Sequence, residues 1–109
     1  MELLTHPDQF DKYLAENSMV LAYFSGEKCS VCQTLRPKVE MLIEQQFPTV
    51  KYVEIKSENA PYITARYNVF TVPVVIFFVE GRDYIREARN ISIAELSAKM
   101  EKIVDLYEQ

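Results

Sequence analysis

The apolar run VPVVIFFV, residues 72–79, constrains the fold more strongly than any other feature of the sequence. Every residue from Val74 to Val79 is apolar, so a strand formed here has two faces that both need cover. The run contains Pro73 and is shorter than the roughly 18 apolar residues that a membrane-spanning helix requires. It therefore predicts the central strand of a sheet that other elements cover on both faces.

Patterns typical of helices and of strands alternate along the rest of the chain. Helices are predicted over 5–17, 27–47 and 59–67 and from residue 92 onward, and strands over 19–24, 50–55, 72–79 and 82–89. The order is α-β-α-β-α-β-β-α, with a parallel βαβ unit first and an antiparallel hairpin, turning at Glu80 and Gly81, near the end. We therefore expect an α/β fold, a three-layer α/β/α sandwich with a mixed central sheet.

The predicted helices have recognisable ends and faces. Thr5, Asn59 and Ser92 are the predicted N-caps, because their side-chain oxygens can accept hydrogen bonds from exposed backbone N–H groups. Pro37 lies inside the second helix, where it removes a hydrogen bond and should kink the helix. Apolar residues recur every four positions along that helix, which predicts one buried stripe formed by Val31, Leu35, Val39, Ile43 and Phe47.

Length and charge limit the possible partners. A chain of 109 residues suits one domain, over residues 1–109. A net charge of −4 disfavours nucleic acid and anionic membrane surfaces, because both need clustered positive charge. The first ten residues lack the basic end and the long apolar stretch of a signal peptide. We therefore expect a cytoplasmic protein with no nucleic-acid or membrane partner.

The segment GEKCSVCQ, residues 26–33, contains the only two cysteines, Cys29 and Cys32. Cytoplasmic thiols are normally kept reduced, and so short a loop gains little from closure, so a structural disulfide is disfavoured. A metal site needs about four ligands, and His6 is the only other histidine or cysteine, so one chain cannot complete a zinc site. A pair of buried core cysteines and a cluster shared by two chains stay open as alternatives.

The position of Cys29 favours redox chemistry. The cysteine falls where a strand ends and a helix begins, and the exposed N–H groups and the dipole of that helix favour an anion there. With Lys28 adding a positive charge, the pKa of the thiol should fall below its free value of about 8.5. Cys32 lies one turn later on the same side of the helix. The pair therefore suits two-step thiol–disulfide exchange, in which Cys29 attacks and Cys32 resolves the mixed disulfide.

Several further features make the chain resemble the thioredoxins over nearly its whole length. Phe24 lies five residues before Cys29, Pro37 lies five residues after Cys32, and YNVFTVP, residues 67–73, follows the family pattern YxVxxxP. The resemblance implies that the Val72–Pro73 bond is cis and lies beside the reactive cysteine. An extended substrate segment would then pair with the exposed backbone of Val72 as an added strand. The alternative is that Pro73 merely starts a strand.

The resemblance also implies a function and its partners. We expect a protein disulfide reductase of the thioredoxin type, acting as a monomer on disulfide-containing proteins. It needs no bound cofactor, because the electrons reside in the dithiol of Cys29 and Cys32, and a flavoprotein thioredoxin reductase would reload it. One alternative is a redox-sensing adaptor that binds a partner through the same groove without efficient turnover. Another is a reductase that glutathione reloads.

Departures from the family pattern surround the cysteines. Lys28 replaces a tryptophan, and Ser30 and Val31 replace the usual Gly-Pro, so these residues should alter the redox potential. Asn90 falls near a glycine of the family's substrate groove. Lys28, together with Arg89 and Arg66, would give that groove a basic rim and a preference for acidic substrates. The alternative is that these residues are scattered, solvated surface charges.

A further departure concerns the resolving cysteine. Tyr23 stands where thioredoxins carry a buried aspartate, and Tyr52 is expected at the position of the lysine that accompanies it. Since a tyrosine is neutral at pH 7, the proton chemistry of a carboxylate is missing beside Cys32. We therefore expect slower, more pH-dependent resolution, or the use of water or another carboxylate such as Glu27. The alternative is that Tyr23 and Tyr52 simply fill volume in the core.

Overall fold

The fold is built on a five-stranded sheet, seen in a computed structural model that describes residues 2–109. The strands are β1 (Glu2–Leu3), β2 (Met19–Ser25), β3 (Lys51–Lys56), β4 (Val74–Val79) and β5 (Arg82–Ala88). Their spatial order is β1-β3-β2-β4-β5. β3 runs parallel to β1 and β2, whereas β4 is antiparallel to β2 and β5. The predicted mixed sheet is confirmed.

Four helices alternate with these strands in the predicted order. They are α1 (Pro7–Glu16), α2 (Ser30–Gln46), α3 (Pro61–Arg66) and α4 (Ile93–Tyr107). The sequence patterns missed β1, which pairs with β3 by only two residues, and a single 3₁₀ turn over Ser57–Asn59. None of the helices in residues 2–109 is long and apolar enough to span a membrane.

The helix starts confirm one predicted N-cap and correct two. Ser92 Oγ accepts the backbone N–H of Glu95 at the start of α4, as expected. The first helix is capped by His6, not Thr5, because the imidazole Nδ1 accepts the N–H of Asp8. Asn59 does not cap α3, because it belongs to the preceding 3₁₀ turn and the N-cap is Ala60.

Side chains alternate between two cores, one on each face of the sheet. Leu21 and Tyr23 of β2 face α2 and α4, whereas Val20 and Phe24 face α1 and α3. The central strand β4 is buried along its whole length, which confirms the three-layer sandwich expected from its apolar run. We call the first core the α2/α4 face and the second the α1/α3 face.

Candidate redox site

The two cysteines form a disulfide at the start of α2. Cys29 is the N-cap of the helix, and its Sγ accepts the backbone N–H of Cys32 at 3.1 Å. Cys29 is half-buried, whereas Cys32 lies on the inner side of the helix and is fully buried. One sulfur of the pair is therefore near the surface, and the other is shielded by the α2/α4 face.

The segment that ends in Pro73 packs against this disulfide. The Val72–Pro73 peptide bond is cis. A Cβ placed on the buried Gly26 would lie 3.2 Å from Val72 Cγ2 and 3.8 Å from Cys29 Cβ, so both residues flank this glycine. The absence of a side chain at Gly26 thus lets the Pro73 segment approach the reactive cysteine closely.

The start of the segment after β5 lies against the other side of Pro73. The backbone N–H of Arg89 donates to the carbonyl of Pro73 at 3.4 Å. Arg89 has a φ of 64°, in the left-handed region that favours glycine, while the predicted groove residue Asn90 follows it and is exposed. The residue in contact with Pro73 is therefore Arg89, one position before Asn90.

The rim beside Cys29 carries charges of both signs. Lys28, Ser30 and Val31 are all exposed, so Val31 does not belong to the buried stripe expected for α2, because it lies on the outer side of the helix. Glu27 forms an ion pair with Lys56 at 3.8 Å. The basic residues at this rim are therefore Lys28, which precedes Cys29 in sequence, and Arg89, whose backbone N–H donates to the Pro73 carbonyl.

The third residue of the expected basic rim is engaged elsewhere. Arg66 lies at the end of α3, and its Nη1 contacts Asp11 Oδ1 of α1 at 2.6 Å. This ion pair ties two helices of the α1/α3 face together. The structure therefore does not bring Arg66 to the redox site.

Comparison with known proteins identifies the family. A model of the thioredoxin family matches residues 2–104. The chain belongs to the thioredoxin family. Thioredoxin-like protein YdfQ of Bacillus subtilis is 30% identical over 98 residues, 90% of this chain and 87% of that protein. A thioredoxin of Arabidopsis thaliana is 27% identical over 79% of this chain and 57% of its own length.

Solved structures of the family share the same fold. A mutant thioredoxin from Halobacterium salinarum superposes with a TM-score of 0.83 at 25% identity, over 93% of this chain and 88% of that one. Family membership and the Cys29–Cys32 disulfide together make the chain a thiol–disulfide oxidoreductase. Disulfide-containing proteins are the substrates that this thioredoxin-family membership implies.

Tyr23, at the position of the thioredoxin aspartate, contacts the backbone of the resolving cysteine. Its side chain is fully buried, and its hydroxyl donates to the carbonyl oxygen of Cys32 at 2.6 Å. Burial raises the pKa of Tyr23 to about 12, with smaller opposing effects of Arg36 (lowering) and Glu54 (raising). Tyr23 is therefore a neutral hydrogen-bond donor at pH 7 and does not supply the proton chemistry of a carboxylate.

The buried carboxylate on this face is Glu54, which the sequence patterns missed. The side chain of Glu54 is 10% exposed, and its Oε2 accepts Ser25 Oγ at 2.6 Å and Arg36 Nη2 at 2.6 Å. Glu54 lies directly opposite Tyr23 in the sheet, whereas Tyr52 lies opposite Leu21. Tyr52 nevertheless packs against the same core that contains Tyr23.

A signal for this carboxylate is present in the sequence. In the alternating strand KYVEIK, Glu54 occupies the same face as Tyr52, and this is the face turned toward the α2/α4 core. A charged residue at a position that faces the core is costly unless a partner compensates its charge. Arg36 supplies this charge, and although burial lowers the pKa of Arg36, the hydrogen bond and charge of Glu54 raise it overall.

Proposed function

We propose that this thioredoxin-family protein is a protein disulfide reductase. Cys29, as a thiolate, attacks a substrate disulfide; a new Cys29–substrate bond forms, and the first substrate sulfur leaves as a thiolate. Cys32 then loses its proton and attacks Cys29, which forms the Cys29–Cys32 disulfide and releases the second substrate sulfur. Two electrons pass from the dithiol to the substrate, whose two sulfurs end as thiols.

The unequal burial of the two sulfurs carries this proposal. Cys29 is half-buried at the N-terminus of α2, where backbone N–H groups and the helix dipole stabilise a thiolate. Cys32 is fully buried, so an incoming protein disulfide reaches only Cys29. This division gives the attack to Cys29 and leaves Cys32 to resolve the mixed disulfide from within.

Substrate docking is assigned to the residues around the cis peptide bond. The backbone of Val72, before Pro73, pairs with an extended substrate segment next to Cys29. Lys28 and Asn90 border the same surface and contribute side-chain contacts to the substrate. Ser30 and Val31, between the cysteines, act on the redox potential because they set how well the thiolate is stabilised.

The proposed function also implies a location and an electron donor for the protein. The protein acts as a cytoplasmic monomer without a bound cofactor, because the reducing equivalents are stored in Cys29 and Cys32. A flavoprotein thioredoxin reductase returns the disulfide to the dithiol. Reduction by NADPH and a thioredoxin reductase, compared with reduction by glutathione alone, tests the identity of this electron donor.

Two measurements test the reductase function. The wild-type protein should accelerate the reduction of insulin by dithiothreitol, and Cys29→Ser should reduce the rate to that of the protein-free mixture. Cys32→Ser should accumulate substrates as mixed disulfides on Cys29, which mass spectrometry detects. A folded Cys32→Ser protein that traps no substrate, together with no insulin reduction by the wild type, would refute the proposal.

A further inference from the structure

A buried ion pair lies on the α2/α4 face, one helical turn beyond the resolving cysteine. Oε2 of Glu54 accepts three hydrogen bonds: one from Ser25 Oγ, one from Arg36 Nε at 2.9 Å and one from Arg36 Nη2 at 2.6 Å. Ser25 is fully buried, and the side chains of Glu54 and Arg36 are 10% and 29% exposed. Screening by water is therefore reduced, most of all at the Glu54 carboxylate, and the pair acts on its surroundings more strongly than fully exposed charges do.

The helix spacing and the strand register both connect this ion pair with Cys32. Arg36 follows Cys32 by four residues in α2, a spacing at which two residues of a helix are neighbours on the same side. Glu54 lies opposite Tyr23, whose hydroxyl donates to the carbonyl of Cys32. A cation on the same helix and an anion on the adjoining sheet thus lie on the side of α2 that carries Cys32.

The two buried tyrosines on this face carry no charge at neutral pH. Tyr23 and Tyr52 stay neutral, because burial raises the pKa of each phenol. A further carboxylate, Glu40 of α2, acts on Tyr52, so its charge adds to that of Glu54 on this face. The strand β4 and the helix α4 contribute apolar side chains to this core, including Val75 and Leu96. At the Tyr23 hydroxyl the Arg36 charge has a larger effect than the Glu54 charge.

We propose that the Arg36–Glu54 pair controls the ionisation of Cys32 during resolution, with Arg36 favouring the thiolate and Glu54 opposing it. The inference rests on the proposed function, since it concerns the step in which Cys32 attacks Cys29. In that step the Cys32 proton is lost to solvent, the bond between Cys29 and the substrate breaks, and the substrate sulfur leaves with the electron pair. Arg36 and Glu54 are positioning residues, because neither touches the reacting sulfur of the substrate.

The experiment separates the two chemical steps with one reagent. The reduced protein is mixed with excess DTNB, an aromatic disulfide whose released thiolate absorbs visible light. Attack by Cys29 releases the first thiolate in a phase that depends on reagent concentration, and attack by Cys32 releases the second in a concentration-independent phase. The rate of the second phase is measured from about pH 6 to about pH 9, a range that brackets an ordinary thiol pKa.

Two single variants should move this pH profile in opposite directions. Arg36→Met should shift the midpoint upward and slow the second phase at neutral pH by about tenfold, the change that one pKa unit produces. Glu54→Gln should shift the midpoint downward, because the Arg36 charge is then uncompensated. The double variant, which removes both charges, should lie between the two, and Arg36→Lys should stay near the wild type because it keeps the charge.

Ser25→Ala is the matched control, since it removes one hydrogen bond to Glu54 Oε2 without changing any charge. Its midpoint should match that of the wild type. Arg36→Met leaves an uncompensated buried carboxylate and can fail to fold, in which case Glu54→Gln and the double variant still decide the question. Shifts in the same direction for Arg36→Met and Glu54→Gln, or an unshifted Glu54→Gln profile, would overturn the inference. A wild-type protein that lacks the second phase would instead refute the proposed function.

Discussion

The two faces of the sheet contain cores of different chemistry. Among residues 3–109, the fully buried side chains of the α1/α3 face are apolar. Phe10, Phe78 and the partly buried Tyr67 meet there edge to face, with ring centroids 5.4–5.5 Å apart. The α2/α4 face also buries apolar residues, but among them lie the Cys32 sulfur and the Tyr23 hydroxyl. Its edge carries the Arg36–Glu54 pair.

This difference separates stability from chemistry within one small domain. Apolar packing stabilises the fold by removing hydrocarbon surface from water, whereas buried charged and polar groups also change the protonation of specific neighbours. The strands β2 and β4 contribute alternate residues to both cores. Packing on the α1/α3 face therefore also stabilises the strands that carry the polar groups of the α2/α4 face. Substitutions on the α1/α3 face should therefore change stability, and substitutions on the α2/α4 face should change reactivity.

The largest expected effect on stability belongs to Phe10→Ala. Phe10 is fully buried and packs against Tyr67 and Phe78, so its truncation should lower the free energy of unfolding by about 3–5 kcal/mol. Urea unfolding of the oxidised protein measures this loss. The rate of insulin reduction per folded molecule should stay unchanged, and a large fall in that rate would show that the two faces are not separable.

Arg86→Gln tests a side-chain contact between the α1/α3 side of the sheet and the docking segment, residues 67–73. Arg86 Nη1 and Nη2 donate to the carbonyls of Tyr67 and Asn68 at 2.6 and 2.7 Å, at the start of the segment that ends in Pro73. Loss of both bonds should cost about 1–2 kcal/mol of stability. It should also raise KM for insulin while the reaction with DTNB is unchanged.

The matched control for this test is Arg82→Gln, on the exposed first residue of the same strand. It should leave both stability and KM at their wild-type values. If Arg86→Gln slows insulin reduction and the DTNB reaction equally, its effect lies in the cysteines and not in substrate docking.

Tyr23→Phe should have a smaller effect on stability and a clear dependence on pH. Loss of the hydrogen bond to the Cys32 carbonyl should cost about 1 kcal/mol at neutral pH. The folded-state pKa of Tyr23, about 12, lies above its ordinary value of 10.0, so this group's stabilising contribution is complete below pH 10 and is lost as pH rises toward 12. Because phenylalanine has no ionisable hydroxyl, the stability of the Tyr23→Phe variant should fall less than that of the wild type as pH rises from 10 toward 12.

Urea unfolding of both proteins, at neutral pH and at a pH between those two values, measures the difference. The stability gap between wild type and Tyr23→Phe should narrow at the higher pH. A gap that widens on going to the higher pH would contradict the buried, neutral state of this hydroxyl.

The smallest expected effect concerns the rim of the site. Lys28 is exposed, so Lys28→Glu should leave the stability unchanged within about 0.5 kcal/mol. It should lower the rate ratio of acidic to basic peptide disulfides by at most about fivefold, since exposed ion pairs contribute up to about 1 kcal/mol. Added salt should remove the preference. If the rate ratio is unchanged at low salt, the charge of Lys28 does not contribute to substrate preference.

Local patterns in the sequence were enough to predict the layers of the fold. The apolar run of β4 requires cover on both faces, and the alternation of helical and extended patterns gives the element order. The helix ends were less predictable, because His6 and Ala60 cap α1 and α3 in place of Thr5 and Asn59. Cap choice depends on which backbone N–H groups stay exposed after the neighbouring turn has formed.

The candidate site was predictable where its chemistry is local. The spacing of Cys29 and Cys32 at a strand-to-helix junction predicts a redox pair, because residues three apart lie on one side of a helix. The sequence placed Asn90 near the groove, but the residue that contacts Pro73 is Arg89. This one-residue difference depends on the backbone conformation just after β5, which local patterns do not determine. Glu54 and Arg36 lie eighteen residues apart in sequence, and nothing local shows that they meet.

The sequence by itself determined the four helices, the four longer strands and the two sulfurs that react, because these follow from short-range periodicity and from the scarcity of other ligands. Only the tertiary structure decided which sulfur is shielded, which residue lies opposite Tyr23, and where the buried charge of Glu54 finds its partner. The physical reason is that strand register and helix packing place residues from β2, β3 and α2 side by side. Burial then makes charges and hydrogen bonds strong that would be weak in water.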